Sequence, residues 1–582
     1  MLKIVLICAI LLSFGLQAAA ASLAITRVWP EKIVTKPGET AVITVDVANT
    51  GKTDETATVA LAIRYGLDER DTLPPQALTV PAEKTATTHF SYPVPAGRKW
   101  GHEAVATLID AAGALISSGH DYFTVGANPW ELGHYITCFM MRGAKASGRI
   151  DKTQLPGWRK NYITTFEGYS WEPSVFDGMA PDVDSWRSGQ GNYKESKEDW
   201  QYLLQQAHKQ GIAGVTYIQS VSYGPAGIDF ARRHPDWLTY NAKGRPPANF
   251  NVAQLTACRD QPEEQGFGTF GGVTTGCFLP SKLLVGDWWI DQVIKSVEMF
   301  GWDGFRSDGN PNVVNGYDIA GTLVEQEKGH DYNAEFLRKV RQRLTARFPH
   351  FLFGWNNVAG GYPEIYNSAA EEAVMLKDAY SLNEFFRGAV QPNSPFHPWK
   401  KAVFYLQQEA DAVRNGGGFP HAGWMGSNRY LEAITSACGT HLDTPDASGY
   451  RRFEFRWSEF LWDNTLRFVR PAESAVTVTG SDAVWWKDFV QSREMPGGGK
   501  RVTVNLVNMP EKDDDGWAGK APAPAANVTV MFTTPPGLIL KKLMALSPDT
   551  DGDVIPLTPA ANGAITLPKI VVWTLVVAEF GK

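Results

Sequence analysis

Gly301-Trp-Asp-Gly-Phe-Arg-Ser-Asp-Gly309 is the stretch on which the reading of this chain turns. A short apolar run ends in a carboxylate, Asp308, and a glycine follows at once. A buried barrel strand delivers an acid to its C-terminal mouth in this way. Side chains alternate along a strand, so Gly304, Arg306 and Asp308 share one face while Phe305 and Ser307 take the other. With the first face turned inward, Arg306 lies beside Asp308, and a neighbouring cation favours the ionised carboxylate. An ionised Asp in a pocket is what a glycosidase nucleophile requires. The same residues also fit a structural Arg–Asp pair at a strand end.

Outward from this strand the pattern divides into three regions. From about 128 to 467 apolar strands alternate with helices, the reading for a parallel (β/α)8 TIM-type barrel. Its candidate strands are His134–Cys138, Tyr162–Phe166, Gly214–Ile218, Gly304–Asp308, Phe351–Trp355, Ala373–Lys377, Ala402–Leu406 and a last one near Gly418 to Trp424. Between them, Lys197–His208 and Trp288–Phe300 show helical spacing. Residues 22–127 read as short alternating strands such as Ala41–Asn49, Thr58–Arg64 and Thr87–Tyr92, the signature of an immunoglobulin-like β-sandwich. From 468 to 582 the β pattern returns in Arg501–Asn508, Asn527–Thr533 and Lys569–Glu579, predicting a C-terminal β-sandwich.

The first 21 residues read as a cleavable signal peptide: Lys3, an apolar core from Ile4 to Leu16, then Ala18 to Ala21 as small cleavage residues. The core is too short for a comfortable membrane span, and no later segment is long and apolar enough for one. The expected product is exported, to the periplasm or the medium, with no membrane attachment after cleavage. About 560 residues then remain, enough for several domains. The net charge of −7 argues against nucleic acid, whose binders carry a basic face. The chain holds 20 Trp and 19 Tyr, rings that can stack on the apolar faces of sugars or simply fill cores. Cys138, Cys258, Cys277 and Cys438 survive signal removal. An even count in an exported chain permits disulfides, and the Gly-rich loop between Cys258 and Cys277 would lose most freedom if closed. Cys138 and Cys438 fit either a second bridge or buried thiols. No cysteine or histidine spacing resembles a metal site, and no cofactor is implied.

Glycosidic cleavage needs a second carboxylate to donate the proton. Lys377-Asp-Ala-Tyr-Ser-Leu-Asn-Glu384 offers Asp378 at the lip of the sixth strand and Glu384 just past it. Glu384 stands between Asn383 and two phenylalanines, a half-apolar setting that keeps a carboxyl protonated. Asp378 is the rival, and Glu172 in Trp171-Glu-Pro173 a third candidate.

At this point the chain resembles glycoside hydrolase family 66, the dextranases and cycloisomaltooligosaccharide glucanotransferases. Gly-Trp-Asp-Gly-Phe-Arg-Ser-Asp-Gly stands where that family has its Gly-Phe-Asp-Gly-x-x-x-Asp nucleophile motif. Asn357-Val-Ala-Gly-Gly-Tyr362 looks like the segment after its fifth strand. A strand carrying Asn-Glu-Phe-Phe follows where the family places a Glu before an aromatic. Val504-Asn-Leu-Val-Asn508, Trp517 and the Pro-Ala stretch are similar to its terminal domain. The resemblance implies a retaining mechanism with Asp308 as nucleophile and Glu384 as acid/base, acting on an oligo- or polysaccharide of α-1,6-linked glucose. Two departures stand out: Arg-Ser precedes Asp308, and Glu384 lacks the preceding Tyr-Thr. No inserted binding module is visible, which favours hydrolysis over cyclising transfer.

Supporting positions follow from placement. Arg306 partners the nucleophile. Asn356 and Asn357 can bond sugar hydroxyls through both amide groups, or form a turn. Trp171, Trp186, Tyr223 and Trp424 lie in strand-end loops, as stacking platforms or as core. Gly189–Tyr193 reads as a loop over the mouth. Arg two before Asp also resembles the α-amylase superfamily, but that family's strand-five Glu is replaced by Trp355-Asn-Asn357. An α-galactosidase-like barrel and a non-catalytic exported carbohydrate binder are the remaining alternatives. The sequence assigns no oligomeric state.

Overall fold

We describe a computed structural model of the chain, covering residues 22–137, 152, 155–174, 177–189, 193–219, 221–223, 230, 233–237, 272–274, 284–308, 316–318, 320–324, 331–356, 368–383, 399–423, 428–443, 449–470, 473, 475–509, 522–560 and 563–582. At its centre lies an eight-stranded sheet in which every ladder is parallel. Its strands are β1 (His134–Thr137), β2 (Ile163–Gly168), β3 (Ala213–Gln219), β4 (Gly304–Asp308), β5 (Leu352–Asn356), β6 (Ala379–Asn383), β7 (Phe419–Gly423) and β8 (His441–Asp443), paired in chain order. Each is followed by a helix: α1 (Leu155–Lys160), α2 (Lys197–Lys209), α3 (Leu284–Phe300), α4 (Tyr332–Arg347), α5 (Ala369–Leu376), α6 (Trp399–Asn415), α7 (Arg429–Ala437) and α8 (Arg451–Trp457). This is a nearly closed parallel barrel. Among the described residues the ladder runs from β1 to β8, and side-chain contacts lie at the remaining seam. His441 Nδ1 lies 3.0 Å from the carbonyl of Gly133, and His134 Nε2 lies 3.1 Å from Glu454 Oε2.

The helices form for local reasons. In α2 the Ser196 side chain caps the first turn by accepting from the amide of Asp199. Trp200, Leu203, Leu204 and Ala207 then fall on one buried face, and Gly211 at φ +73° turns the chain into β3. Between wall and helices, Phe305 packs edge-on against Trp289, Phe353 and Trp355. The barrel interior is apolar at its base. Trp130, from the short helix Pro129–Leu132 leading into β1, packs with Tyr135, Val215, Leu352, Tyr380, Leu382 and Phe419. Gly304 is required there, because a Cβ would stand 2.0 Å from the carbonyl oxygen of Leu352.

Three strand expectations are corrected. Ala373–Lys377 is not the sixth strand: Ala373 to Leu376 belong to α5, and the strand begins at Ala379. Ala402–Leu406 lies inside α6, where Trp399, Ala402, Val403, Leu406, Ala410 and Val413 make one buried helical face. The run near Gly418 is therefore the seventh strand and His441–Asp443 the eighth. Short apolar runs fit a strand or a buried helix face equally, and here the longer helical period wins.

On the N-terminal side, a three-stranded sheet (Leu23–Pro30, Thr40–Asn49, Thr85–Pro93) and a six-stranded sheet share one core, with Ile43, Val45 and Phe90 facing Val59, Leu61, Ile63 and Phe123. Alternation explains it: in Glu55–Tyr65, Ala57, Val59, Leu61 and Ile63 point inward. C-terminal to the barrel, seven- and three-stranded sheets enclose Val504, Leu506, Val528, Val530 and Val576. The run Lys569–Glu579 is two strands in different sheets, Ile565–Ile570 and Trp573–Gly581. The Asp549 carboxylate accepts from the amides of Val572 and Trp573 and holds the break. Asp549 and Asp553 are thus engaged structurally, the latter by Arg452.

Candidate active site

Parallel strands present their last residues to one mouth, and the register fixes who meets there. Gln219 of β3 stands opposite Asp308 of β4, and Asp308 opposite Asn356 of β5. Tyr217, two residues back on β3, shares the inward face and reaches Asp308 Oδ2 with its hydroxyl at 2.5 Å. Asn356 Nδ2 donates to Asp308 Oδ1 at 2.6 Å, and Arg306 Nη1 lies 3.6 Å from the same oxygen. Each carboxylate oxygen of Asp308 is thus held by a donor from a neighbouring strand, with a guanidinium beneath. Burial pushes the Tyr217 phenol well up, and the Asp308 charge adds to it, so Tyr217 stays a donor. Burial alone would lower Arg306, but Glu167 and Asp308 hold it well above its ordinary value.

Among the described residues, Glu167 (β2), Asp308 (β4) and Asp443 (β8) are the carboxylates at the strand ends. Their exposure separates them: Glu167 shows 1%, Asp443 4% and Asp308 25% of its side chain. Both oxygens of Asp443 are engaged, Oδ2 by the Tyr380 hydroxyl at 2.6 Å and Oδ1 by His421 Nδ1 at 3.0 Å. His421 stacks on His441 with centroids 4.4 Å apart. Glu167 accepts from the Tyr135 hydroxyl and faces Arg306 Nη1 at 3.5 Å. Asp308 alone of the three offers a carboxylate to solvent.

The sequence-predicted residues divide. Asp308, Arg306 and Asn356 come together. Asp378 does not: it precedes β6, at φ +50°, so it sits at the opposite end of the barrel from Asp308. Its backbone is tied there, its amide to the carbonyl of Gly417 and its own carbonyl to Asn128. The reading of Asp378 at the lip fails because strand six starts six residues later than the run proposed for it. Trp171 is fully buried outside the barrel wall, packed on Trp186, Trp200, Phe300 and Trp302, with its indole N–H on Thr216. It has no face free for a sugar. Trp186 packs against the same cluster and donates to the Trp171 carbonyl at 2.6 Å. Glu172 is buried, and burial, with Glu195 and Glu167 adding, pushes its carboxyl well up. Cys438 is a buried free thiol. Tyr223 closes the short strand Val221–Tyr223, paired with Gly272–Thr274. Glu384, Asn357, Trp424, Cys138, Cys258 and Cys277 lie outside the described residues, as do the signal segment and the middle of the Gly189–Tyr193 loop.

Sequence reading missed Tyr217, Glu167, Tyr135, Tyr380, His421 and Asp443. Tyr217 was inside a correctly placed strand, on the inward face by alternation, and was legible. Glu167 lay one residue beyond the strand end drawn at Phe166. Tyr380, His421 and Asp443 lie on strands whose places in the barrel order the apolar runs do not give, and Tyr135 is an inward phenol on β1.

No family model matches the sequence, and no curated protein matches it. Solved structures do. The chain superposes on the cycloisomaltooligosaccharide glucanotransferase of a Paenibacillus species, solved with cycloisomaltoheptaose, at a TM-score of 0.65 and 14% identity, covering 95% of this chain and 100% of that one. The two share one fold. A maltogenic α-amylase from Thermotoga neapolitana gives 0.42 at 12% identity over 78% of this chain and 99% of its own. A GH36 α-galactosidase from Geobacillus stearothermophilus gives 0.41 at 11% over 93% and 79%.

Proposed function

We propose that the chain is a retaining glycoside hydrolase of the family 66 type, cleaving α-glucan endo-wise at α-1,6 linkages. The observation that carries this reading is Asp308: a solvent-reaching carboxylate at the fourth strand end, held from both sides by Tyr217 and Asn356. A nucleophile must be ionised, aimed and partly exposed, and this one is aimed by two neighbouring strands. The shared fold with a glucanotransferase that holds a cyclic isomaltooligosaccharide supports the substrate class.

In the proposed reaction Asp308 attacks the anomeric carbon as the glycosidic C–O bond breaks. Glu384, just past β6, gives its proton to the leaving oxygen. The glycosyl–Asp308 ester is then opened by water, whose proton returns to Glu384 as the Asp308 carboxylate departs. Tyr217 and Asn356 donate hydrogen bonds to that carboxylate when its charge is restored. Arg306 supplies positive charge beneath it throughout. Among the described residues Glu167 and Asp443 are buried and Asp378 lies at the far end, and the resemblance to family 66 gives Glu384 the part of proton donor in this reading. The protein would act after export.

The test is activity of the mature protein beside Asp308→Asn and Glu384→Gln. Substrates are dextran, starch, pullulan, and aryl α-glucosides and α-galactosides, with released reducing ends and product sizes scored. Dextran cleavage lost in both variants supports the reading. Cyclic products would replace water by a sugar hydroxyl as acceptor. Cleavage that survives Asp308→Asn overturns it.

A further inference from the structure

Arg306 lies between two carboxylates of different kinds. Its Nη1 stands 3.6 Å from Asp308 Oδ1 at the mouth and 3.5 Å from Glu167 Oε1 below. Glu167 is buried, and its other oxygen accepts from the Tyr135 hydroxyl on β1. Three strands, β1, β2 and β4, therefore converge on one guanidinium. A buried carboxylate is a costly way to brace a barrel, since removing two charges from water offsets most of their attraction. Replacing Glu167 and Arg306 together by apolar residues would fill the space more cheaply, whereas replacing Glu167 alone leaves the Arg306 charge buried with one counter-charge fewer. What a carboxylate adds here is charge. The Arg306 Nη1 lies almost midway between the two carboxylates, and the negative charge of Glu167 offsets part of the positive potential of Arg306 at Asp308.

We infer that Glu167, fixed by Tyr135, is a positioning residue that sets the reactivity of Asp308 through Arg306. The inference rests on Asp308 being the nucleophile. A carboxylate held too strongly by a cation is a poor nucleophile, and one not held is poorly aimed. Glu167 balances the two. Without its charge, Arg306 closes on Asp308 and favours the anion over the ester. Without the Tyr135 hydroxyl, the Glu167 charge is no longer shared with a donor and Arg306 is drawn away from Asp308. The two changes thus push the nucleophile in opposite directions, which no merely structural role for the pair would do.

The experiment is the pH profile of kcat/KM for the full mature chain and for Glu167→Gln, Glu167→Asp, Tyr135→Phe and Asp308→Asn. The substrate is whichever one the wild type cleaves, and near-ultraviolet circular dichroism confirms folding. Glu167→Gln is expected to lower kcat about ten- to a hundredfold, the scale of one charge-assisted contact, with KM little changed. Its acid limb should move to lower pH, Tyr135→Phe should move the limb to higher pH, and Glu167→Asp should recover much of the rate. Limbs that stay in place in both variants, or move together, overturn the inference whatever happens to the rates. If Glu167→Gln does not fold, the direction of the Tyr135→Phe limb alone decides. Asp308→Asn keeps the two ideas apart. Full activity there removes the nucleophile assignment itself, whereas an inactive Asp308→Asn with unmoved limbs in the others removes only the role of Glu167.

Discussion

The hydroxyl of Tyr217 on β3 lies 2.5 Å from Oδ2 of Asp308 on β4, a charge-assisted contact between neighbouring strands at the barrel mouth. The phenol cannot ionise at working pH, because burial and then the Asp308 charge push it up. Tyr217→Phe keeps the ring and deletes only the donor. We expect kcat to fall about ten- to a hundredfold, the value of one hydrogen bond to a charged group. Thermal stability should change little, and steady-state kinetics beside a melting curve separate the two effects.

Glu172 predicts a pH dependence of stability. Its folded-state carboxyl is raised well above the ordinary 4.5 by burial first, with Glu195 and Glu167 adding. Below the unfolded value both states hold the proton and the stabilising contribution is complete. As pH rises, the unfolded chain ionises freely while the fold keeps its proton, so stability is lost up to the folded pKa. Glu172→Gln mimics the protonated form at every pH. Melting at about pH 4 should be nearly unchanged, whereas at about pH 7 the variant should melt higher than the wild type. Equal shifts at both would contradict a proton on Glu172.

Trp171 separates a core role from a sugar platform. It is fully buried among four aromatic rings. Trp171→Ala should cost about 3–5 kcal/mol of stability through the cavity it leaves. At a temperature where the variant stays folded, KM should match the wild type. A raised KM without loss of stability would return Trp171 to the binding site.

Gly304 stands at the other end of the nucleophile's strand. A Cβ there would meet the Leu352 carbonyl oxygen at 2.0 Å, a backbone atom that cannot step aside without moving β5. Gly304→Ala should destabilise by about 1–3 kcal/mol, as overpacked cores do. It should also weaken activity, since the Asp308–Asn356 pairing depends on the same two strands. Chemical denaturation and kinetics on one preparation read both.

The legible parts of this fold share a cause. Strand four, Gly304–Asp308, alternates so that Arg306 and Asp308 share the inward face and Phe305 the outward one, and it ends at Asp308, so pattern and position agree. Strands six and seven were misread because Ala373–Lys377 and Ala402–Leu406 are short apolar runs whose period is ambiguous until length is added. The helical face from Trp399 to Val413 was present in the sequence and outranks the five-residue run within it. Trp171 shows the opposite limit. Its placement depends on Trp200 of α2 and Phe300 of α3, and no local pattern reports a meeting of elements so distant in the chain. At the site, Asp308, Arg306 and Asn356 could be read from strand ends. Glu167 could not be weighed until its burial was known.

The seam between β8 and β1 sets how the barrel breathes. Among the described residues seven ladders bind the wall through the backbone, whereas at the seam the His441 side chain reaches the Gly133 carbonyl and His134 is held by Glu454 of α8. The wall is in this sense a curled ribbon with its ends fastened together. Parting the ends leaves every described ladder intact, so we expect the wall to open at this seam before any ladder breaks. Amide protons along β1 and β8 should therefore exchange with deuterium ahead of those in β3, β4 and β5. The strands that carry Tyr217, Asp308 and Asn356 lie across the ring from that opening, where such motion disturbs them least.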